Sequence, residues 1–152
     1  MSIKNSELKH LIKSQRLNYP LEQIFYKDLS IYKLDVETFF YKQWIFVGHE
    51  SRIPKKGDYF LFTIENESII IIRGENGEIN CFYNVCRHRG SHICLEKEGN
   101  ARTLVCPYHA WSYKLNGNLK SARLMDSDFD PKAWSLNKCH SKSFEGLIFI
   151  NF

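Results

Sequence analysis

Two cysteines and two histidines, interleaved, limit what this chain can fold into more than any other feature. They read Cys86-Arg87-His88-Arg89-Gly90 and then, after a gap, Cys106-Pro107-Tyr108-His109-Ala110-Trp111. Seventeen residues separate His88 from Cys106, which gives C-x-H-x17-C-x2-H. Each half offers one thiolate and one imidazole on a short loop, so the fold must bring two loops together about one metal centre. Structural zinc accepts Cys2His2 in a tetrahedron. A zinc finger, however, places its cysteines as one close pair and its histidines as another. Here Cys and His alternate, so each loop can reach across two metal ions. Two such loops clamp a dinuclear iron–sulfur centre from opposite sides, cysteines on one iron and histidines on the other. Gly90 can take backbone angles that a side chain forbids. Pro107 fixes one dihedral and removes one amide donor. Tyr108 and Trp111 can screen such a centre from water.

The constellation resembles the Rieske [2Fe–2S] motif. C-R-H-R-G with C-P-Y-H-x-W is similar to the version in ring-hydroxylating (Rieske non-haem iron) oxygenase α subunits, N-terminal portion. The likeness runs over nearly the whole chain: an aromatic helix, W-I-F-V-G-H from Trp44, I-P-x-x-G-D-Y from Ile53, a strand pair, N-V-C-R-H-R-G from Asn84, C-P-Y-H-A-W from Cys106, and a closing G-L-I-F-I-N. The resemblance implies a Rieske-type [2Fe–2S] cluster on Cys86, His88, Cys106 and His109. It implies electrons arriving from a ferredoxin or flavin reductase and leaving to a mononuclear non-haem iron. That iron belongs to a catalytic domain of the same or a neighbouring subunit, in a homo-oligomer when full length. Respiratory-complex versions carry a further cysteine in each loop, joined as a disulfide. Ser91 and Tyr108 stand at the corresponding places here, so the resemblance implies no disulfide and a potential of about −150 mV rather than +300 mV.

The family's helical signature for the mononuclear iron is Asp-x2-His-x4-His. The nearest start is Glu7-x2-His10, and the next required position holds Gln15. His49, His92 and His140 are scattered and read as surface or structural histidines. The expected function is therefore single-electron transfer without oxygen chemistry, with no catalytic residue in this chain. We expect the Rieske portion of a longer oxygenase, its catalytic domain absent. One alternative is a stand-alone Rieske ferredoxin-type carrier, against which stand the 85 residues before Cys86. The other is a zinc-stabilised interaction module.

Charge and composition exclude other classes. The formal charge is +4, with 21 Lys and Arg among 17 Asp and Glu, which reads as a mixed surface and not a nucleic-acid face. Of five cysteines, Cys81, Cys94 and Cys139 have no regular spacing and read as buried or free thiols. Met1 to Lys13 is too charged for a secretory signal, and no apolar run approaches the roughly 20 residues that span a bilayer. The expectation is a cytoplasmic protein with no membrane contact.

The pattern predicts two regions, residues 1–43 as a helical extension and residues 44–152 as the Rieske domain. A helix is expected from Ile3 to Leu17 with Leu8, Leu11 and Ile12 on one face. Leu21 to Tyr32 reads as extended or irregular. A second helix is expected from an N-cap at Asp35, with Leu34 and Phe39 as a staple, ending near Trp44. Strands follow at Trp44–His49, Tyr59–Ile64 and Ser68–Arg73, whose four isoleucines suggest cover on both faces. Asn76-Gly77 turns the chain into Ile79–Asn84. Trp111–Leu115 and Leu119–Ala122 form a hairpin, Arg123–Asn137 reads as a polar irregular connection, and strands close the chain at Lys138–Phe144 and Leu147–Phe152. The fold class is mainly β: a Rieske-type antiparallel β-sandwich or barrel with two cluster-binding loops, preceded by short N-terminal helices.

Overall fold

Four consecutive isoleucines, Ile69 to Ile72, are fully buried and set the plan of the larger part of the molecule. The computed structural model describes residues 5–123, 125 and 129–152. It forms two compact units, Met1–Trp44 and Ile45–Phe152.

The second unit holds β1 (Ile45–His49), β2 (Asp58–Ile64), β3 (Glu67–Arg73), β4 (Ile79–Tyr83), β5 (Glu98–Asn100), β6 (Leu104–Val105), β7 (Ser112–Tyr113), β8 (Leu119–Ser121), β9 (His140–Phe144) and β10 (Leu147–Asn151). They pair antiparallel in three sheets, ordered β4-β3-β2-β5, β1-β10-β9 and β6-β7-β8. Side chains alternate across a strand, so β3 feeds two cores. Ile70 and Ile72 pack with Phe82, Leu104, Trp111, Tyr113 and Leu119 on one side. Ile69 and Ile71 pack with Val47, Phe60, Ile148 and Ile150 on the other. The four-stranded sheet is thus the middle layer, and the expected cover on both faces is present. Burying the four isoleucines is worth on the order of 6–12 kcal/mol, as an upper figure.

Two glycine turns position the layers. Gly77 closes the β3–β4 hairpin at φ 84°, the left-handed conformation that Asn-Gly supplies at low cost. Gly117, at φ 85°, sits where a Cβ would lie 2.4 Å from the Phe82 ring. Only glycine lets the β7–β8 hairpin rest on the shared core, where its carbonyl accepts the Leu136 N–H at 2.9 Å.

Four local expectations are corrected. Leu21–Tyr32 is not irregular: α2 spans Ile24–Lys27 and α3 spans Leu29–Thr38, after α1 at Asn5–Lys13. The cap of α3 is Asp28, two turns before Asp35. Its Oδ1 accepts Ser30 N–H at 2.8 Å and Ile31 N–H at 3.2 Å, and Ser30 bonding holds the carboxyl below its ordinary pKa. Asp35 lies inside the helix, its carbonyl accepting the Phe39 N–H, and Phe39 and Phe40 fall beyond the helix end. The first helix ends at Lys13, short of Leu17. Finally, the Arg123–Asn137 connection is not simply polar. Leu124 and Asp126–Asp128 lie outside the described residues, but Phe129, Trp134 and Leu136 pack on the first core. Among the described residues no helix is long and apolar enough to cross a membrane.

Candidate metal centre

The two motif loops repeat one backbone design. In the first, the Cys86 carbonyl accepts the Gly90 N–H at 2.9 Å and the Cys86 N–H donates to Ser91 O at 2.8 Å. In the second, the Cys106 carbonyl accepts the Ala110 N–H at 3.0 Å and the Cys106 N–H donates to Trp111 O at 2.8 Å. The fourth residue after each cysteine is left-handed, Gly90 at φ 72° and Ala110 at φ 57°. A tight turn with both ends bonded to the cysteine holds the intervening histidine out on the same side in each loop.

The loops bring all four motif side chains together as two pairs. Cys86 and Cys106 are buried, with the Cys106 thiol against that of Cys86. The His88 and His109 rings lie 4.6 Å apart at 72°. Among the described residues no group of three or more His, Cys, Asp or Glu surrounds a single ion position.

Each pair has its own surroundings. Tyr113 Oη accepts the Arg87 N–H at 3.1 Å, which leaves its hydroxyl hydrogen for the Cys86 Sγ at 3.3 Å. Burial pushes the Cys86 thiol above its ordinary pKa, with Tyr113 and the His88 amide opposing and Cys106 adding to the rise. The His88 ring stacks on Trp111 at 4.8 Å and 6°. Trp111 is itself held edge-on by Phe129 at 5.6 Å and Trp134 at 5.5 Å. Burial lowers the His88 pKa, helped by the charges of His109 and Arg89, which favours the neutral imidazole. Its Nδ1 is buried and has no hydrogen-bond partner among the described residues. An orphaned buried nitrogen is costly unless something electrophilic meets it. Metal ligation needs a neutral imidazole and an ionised thiol. Two buried cysteines in contact, beside a buried imidazole nitrogen with no partner among the described residues, fit a cationic centre shared between the pairs.

Four supporting residues escaped the sequence reading. Asn84 is fully buried. Its Oδ1 accepts the Ile93 and Cys94 N–H groups, both at 2.9 Å, and its Nδ2 donates to Cys94 O at 2.8 Å. It therefore staples the far end of the first loop to the end of β4. Tyr113, Phe129 and Trp134 carried no motif signal; an asparagine two residues before Cys86 was the one visible hint. His49, His92 and His140 are exposed.

The chain matches the family model for the Rieske [2Fe–2S] domain over residues 43–144. It is 38% identical to the glycine betaine monooxygenase oxygenase subunit of Pseudomonas aeruginosa over 142 residues, 93% of this chain and 33% of that protein. It is 36% identical to the benzene 1,2-dioxygenase subunit alpha of Pseudomonas putida over 152 residues, 98% of this chain and 33% of the relative. Among solved structures, naphthalene 1,2-dioxygenase from Rhodococcus superposes with a TM-score of 0.87 at 30% identity, covering 97% of this chain and 36% of that one. A quaternary ammonium Rieske monooxygenase with L-carnitine gives 0.77 at 37% identity, over 84% and 37%. The chain thus spans about a third of the length of the curated relatives it matches. It belongs to the Rieske [2Fe–2S] domain family, and its homologues there are oxygenase α subunits.

Proposed function

We propose that Cys86 and Cys106 hold one iron of a [2Fe–2S] cluster and His88 and His109 the other, and that the chain relays single electrons within a Rieske oxygenase α subunit. Residues 1–43 form a helical extension and residues 44–152 the cluster-bearing domain. The observation that carries this reading is the buried, partnerless His88 Nδ1 beside a second imidazole 4.6 Å away. When bound, the cluster supplies a one-electron couple. The chain's own residues do the rest. Tyr113 directs its hydroxyl at the Cys86 sulfur, Trp111 fixes the plane of the His88 ring, and the buried cysteine end keeps water from the sulfurs. The half-exposed histidine end is the natural outlet toward a mononuclear non-haem iron in a catalytic domain of the same or a neighbouring subunit of a homo-oligomer. A ferredoxin or flavin reductase is the donor, and the setting is cytoplasmic.

The relatives act, by name, on a quaternary amine and on aromatic hydrocarbons at nearly equal identity. Electron delivery, common to both, is what this chain contributes. The absorption spectrum and metal content of the purified protein test the reading. Iron and acid-labile sulfide in equal amounts are expected; stoichiometric zinc without sulfide would establish the interaction module instead.

A further inference from the structure

Charge is divided unevenly along the chain. The segments Asn84–Leu95 and Ala101–Arg123, which build the candidate centre, contain Arg87, Arg89, Arg102, Lys114, Lys120 and Arg123 and no Asp or Glu. These six cations exceed the whole chain's +4, so the remainder carries −2. All six side chains are exposed. Four of them lie in two places. Arg87 and Arg89 flank His88 at the tip, whereas Lys114 and Lys120 lie along the β7–β8 hairpin.

Beside that hairpin is a shallow cleft of about 340 Å³, lined by Lys114, Asn118, Leu119, Pro131, Lys132 and Ser135. The short 3-10 helix Pro131–Trp134 that lends Pro131 and Lys132 to its wall also carries Trp134. From Trp134 the rings continue inward, to Trp111 at 5.5 Å and from Trp111 to His88 at 4.8 Å. Among the described residues no carboxylate pairs with Lys114 or Lys132. Asp130, the described acid of this segment, accepts the Lys132 backbone N–H.

We propose that this lysine-lined cleft is the docking site of an acidic one-electron carrier protein, with Trp134 and Trp111 as the packed bridge from the carrier to His88. The proposal rests on the reading of His88 as a cluster ligand. The transfer is simple in its balance: the reduced carrier loses one electron, the bound centre gains it, and no bond breaks. A permanent subunit interface is large and apolar, whereas electron-transfer encounters are small, polar and steered by charge. The cleft, with four polar side chains among its six, is of the second kind. It also lies on the hairpin flank, which leaves the histidine tip free for the outgoing electron.

The test uses cluster-loaded protein and a reduced plant-type [2Fe–2S] ferredoxin, an acidic carrier, as probe. Association with the oxidised ferredoxin is followed by surface plasmon resonance, and reduction by stopped-flow absorbance. Affinity should fall as salt rises. Lys114→Glu with Lys132→Glu should weaken binding and slow reduction by about tenfold or more at low salt. Trp134→Leu should slow reduction while leaving affinity unchanged. Sodium dithionite, which needs no docking, should give the same reduced-cluster EPR signal in the parent and in both charge-reversal variants. The proposal is overturned if the double lysine variant binds and is reduced like the parent. It is equally overturned if Arg87→Glu with Arg89→Glu has the larger effect on binding, which would place the carrier, or a neighbouring subunit, at the tip. A parent protein that gives no cluster signal with dithionite overturns the site assignment itself, and the docking proposal with it.

Discussion

Loop Cys86–Ser91 and loop Cys106–Trp111 share their turn, their hydrogen bonds and their left-handed fourth residue, yet the fold closes them by different means. The second loop joins two paired strands. Leu104 stands opposite Tyr113 and Val105 opposite Ser112, so backbone pairing closes it. The first loop leaves β4, and the strand that follows, β5, pairs elsewhere, with β2. Among the described residues no strand pairing closes it, and the Asn84 side chain takes the place of the missing strand. The difference teaches that the same backbone turn can rest on a ladder in one place and on one buried side chain in another. The second arrangement concentrates risk in a single residue.

The largest effect should come from removing that residue. Asn84→Ala leaves the Ile93 and Cys94 amides and the Cys94 carbonyl buried without partners, each worth about 1–3 kcal/mol. We expect a loss of about 3 kcal/mol or more by denaturant unfolding, with the cluster lost from the variant. A cost below about 1 kcal/mol would show that the first loop holds itself.

Next is alkaline pH. Burial raises the Cys94 thiol from 9.0 to about 11. The folded chain therefore keeps a proton that the unfolded chain gives up, and stability is full below about pH 9 and falls as pH rises toward 11. The loss is about 3 kcal/mol, and Cys94→Ala should flatten that part of the stability profile. An unchanged slope in the variant would remove Cys94 as its cause.

Tyr113 serves the sulfur of the first loop. A donor to a thiolate stabilises the reduced, more negative state. Tyr113→Phe should lower the midpoint potential on the order of 50 mV, as one charge-assisted hydrogen bond allows. A rise, or no change, would contradict the hydroxyl's orientation.

The smallest effects test the shared turn. A Cβ at Gly90 meets nothing within 4 Å, and the other loop already tolerates alanine at the same place. Gly90→Ala should cost no more than about 1–2 kcal/mol and keep the cluster. Ala110→Gly should shift stability by less than about 1 kcal/mol. A Gly90→Ala protein that fails to fold would break the equivalence of the loops.

Much of this was legible in the sequence where the chemistry is local. The buried isoleucine strand, the Asn-Gly turns and the mainly β class follow from run length and turn residues. The four motif residues announce themselves by type and spacing, and the fold sets them as two pairs, Cys86 with Cys106 and His88 with His109. What could not be read depends on partners distant along the chain. Asp28 and Asp35 are equally good caps by type, and the packing of Ile31 and Val36 on α3 decides between them. Glu98-Gly99-Asn100 has no strand-forming side chain, and it pairs because Gly99 leaves room for the Tyr59 ring, 3.2 Å from where a Cβ would be. Asn84 is an ordinary strand-end residue until Cys94 returns to it, and Phe129 and Trp134 sit in a segment whose acids hide their role.

The central claim is that cysteines bind one iron and histidines the other. Electron–nuclear double resonance on the dithionite-reduced protein measures this most directly. The account predicts couplings to two inequivalent nitrogens, one lost in His88→Cys and the other in His109→Cys, each with a lower midpoint potential. A reduced cluster with no directly bound nitrogen, or two nitrogens that survive both substitutions, would contradict it.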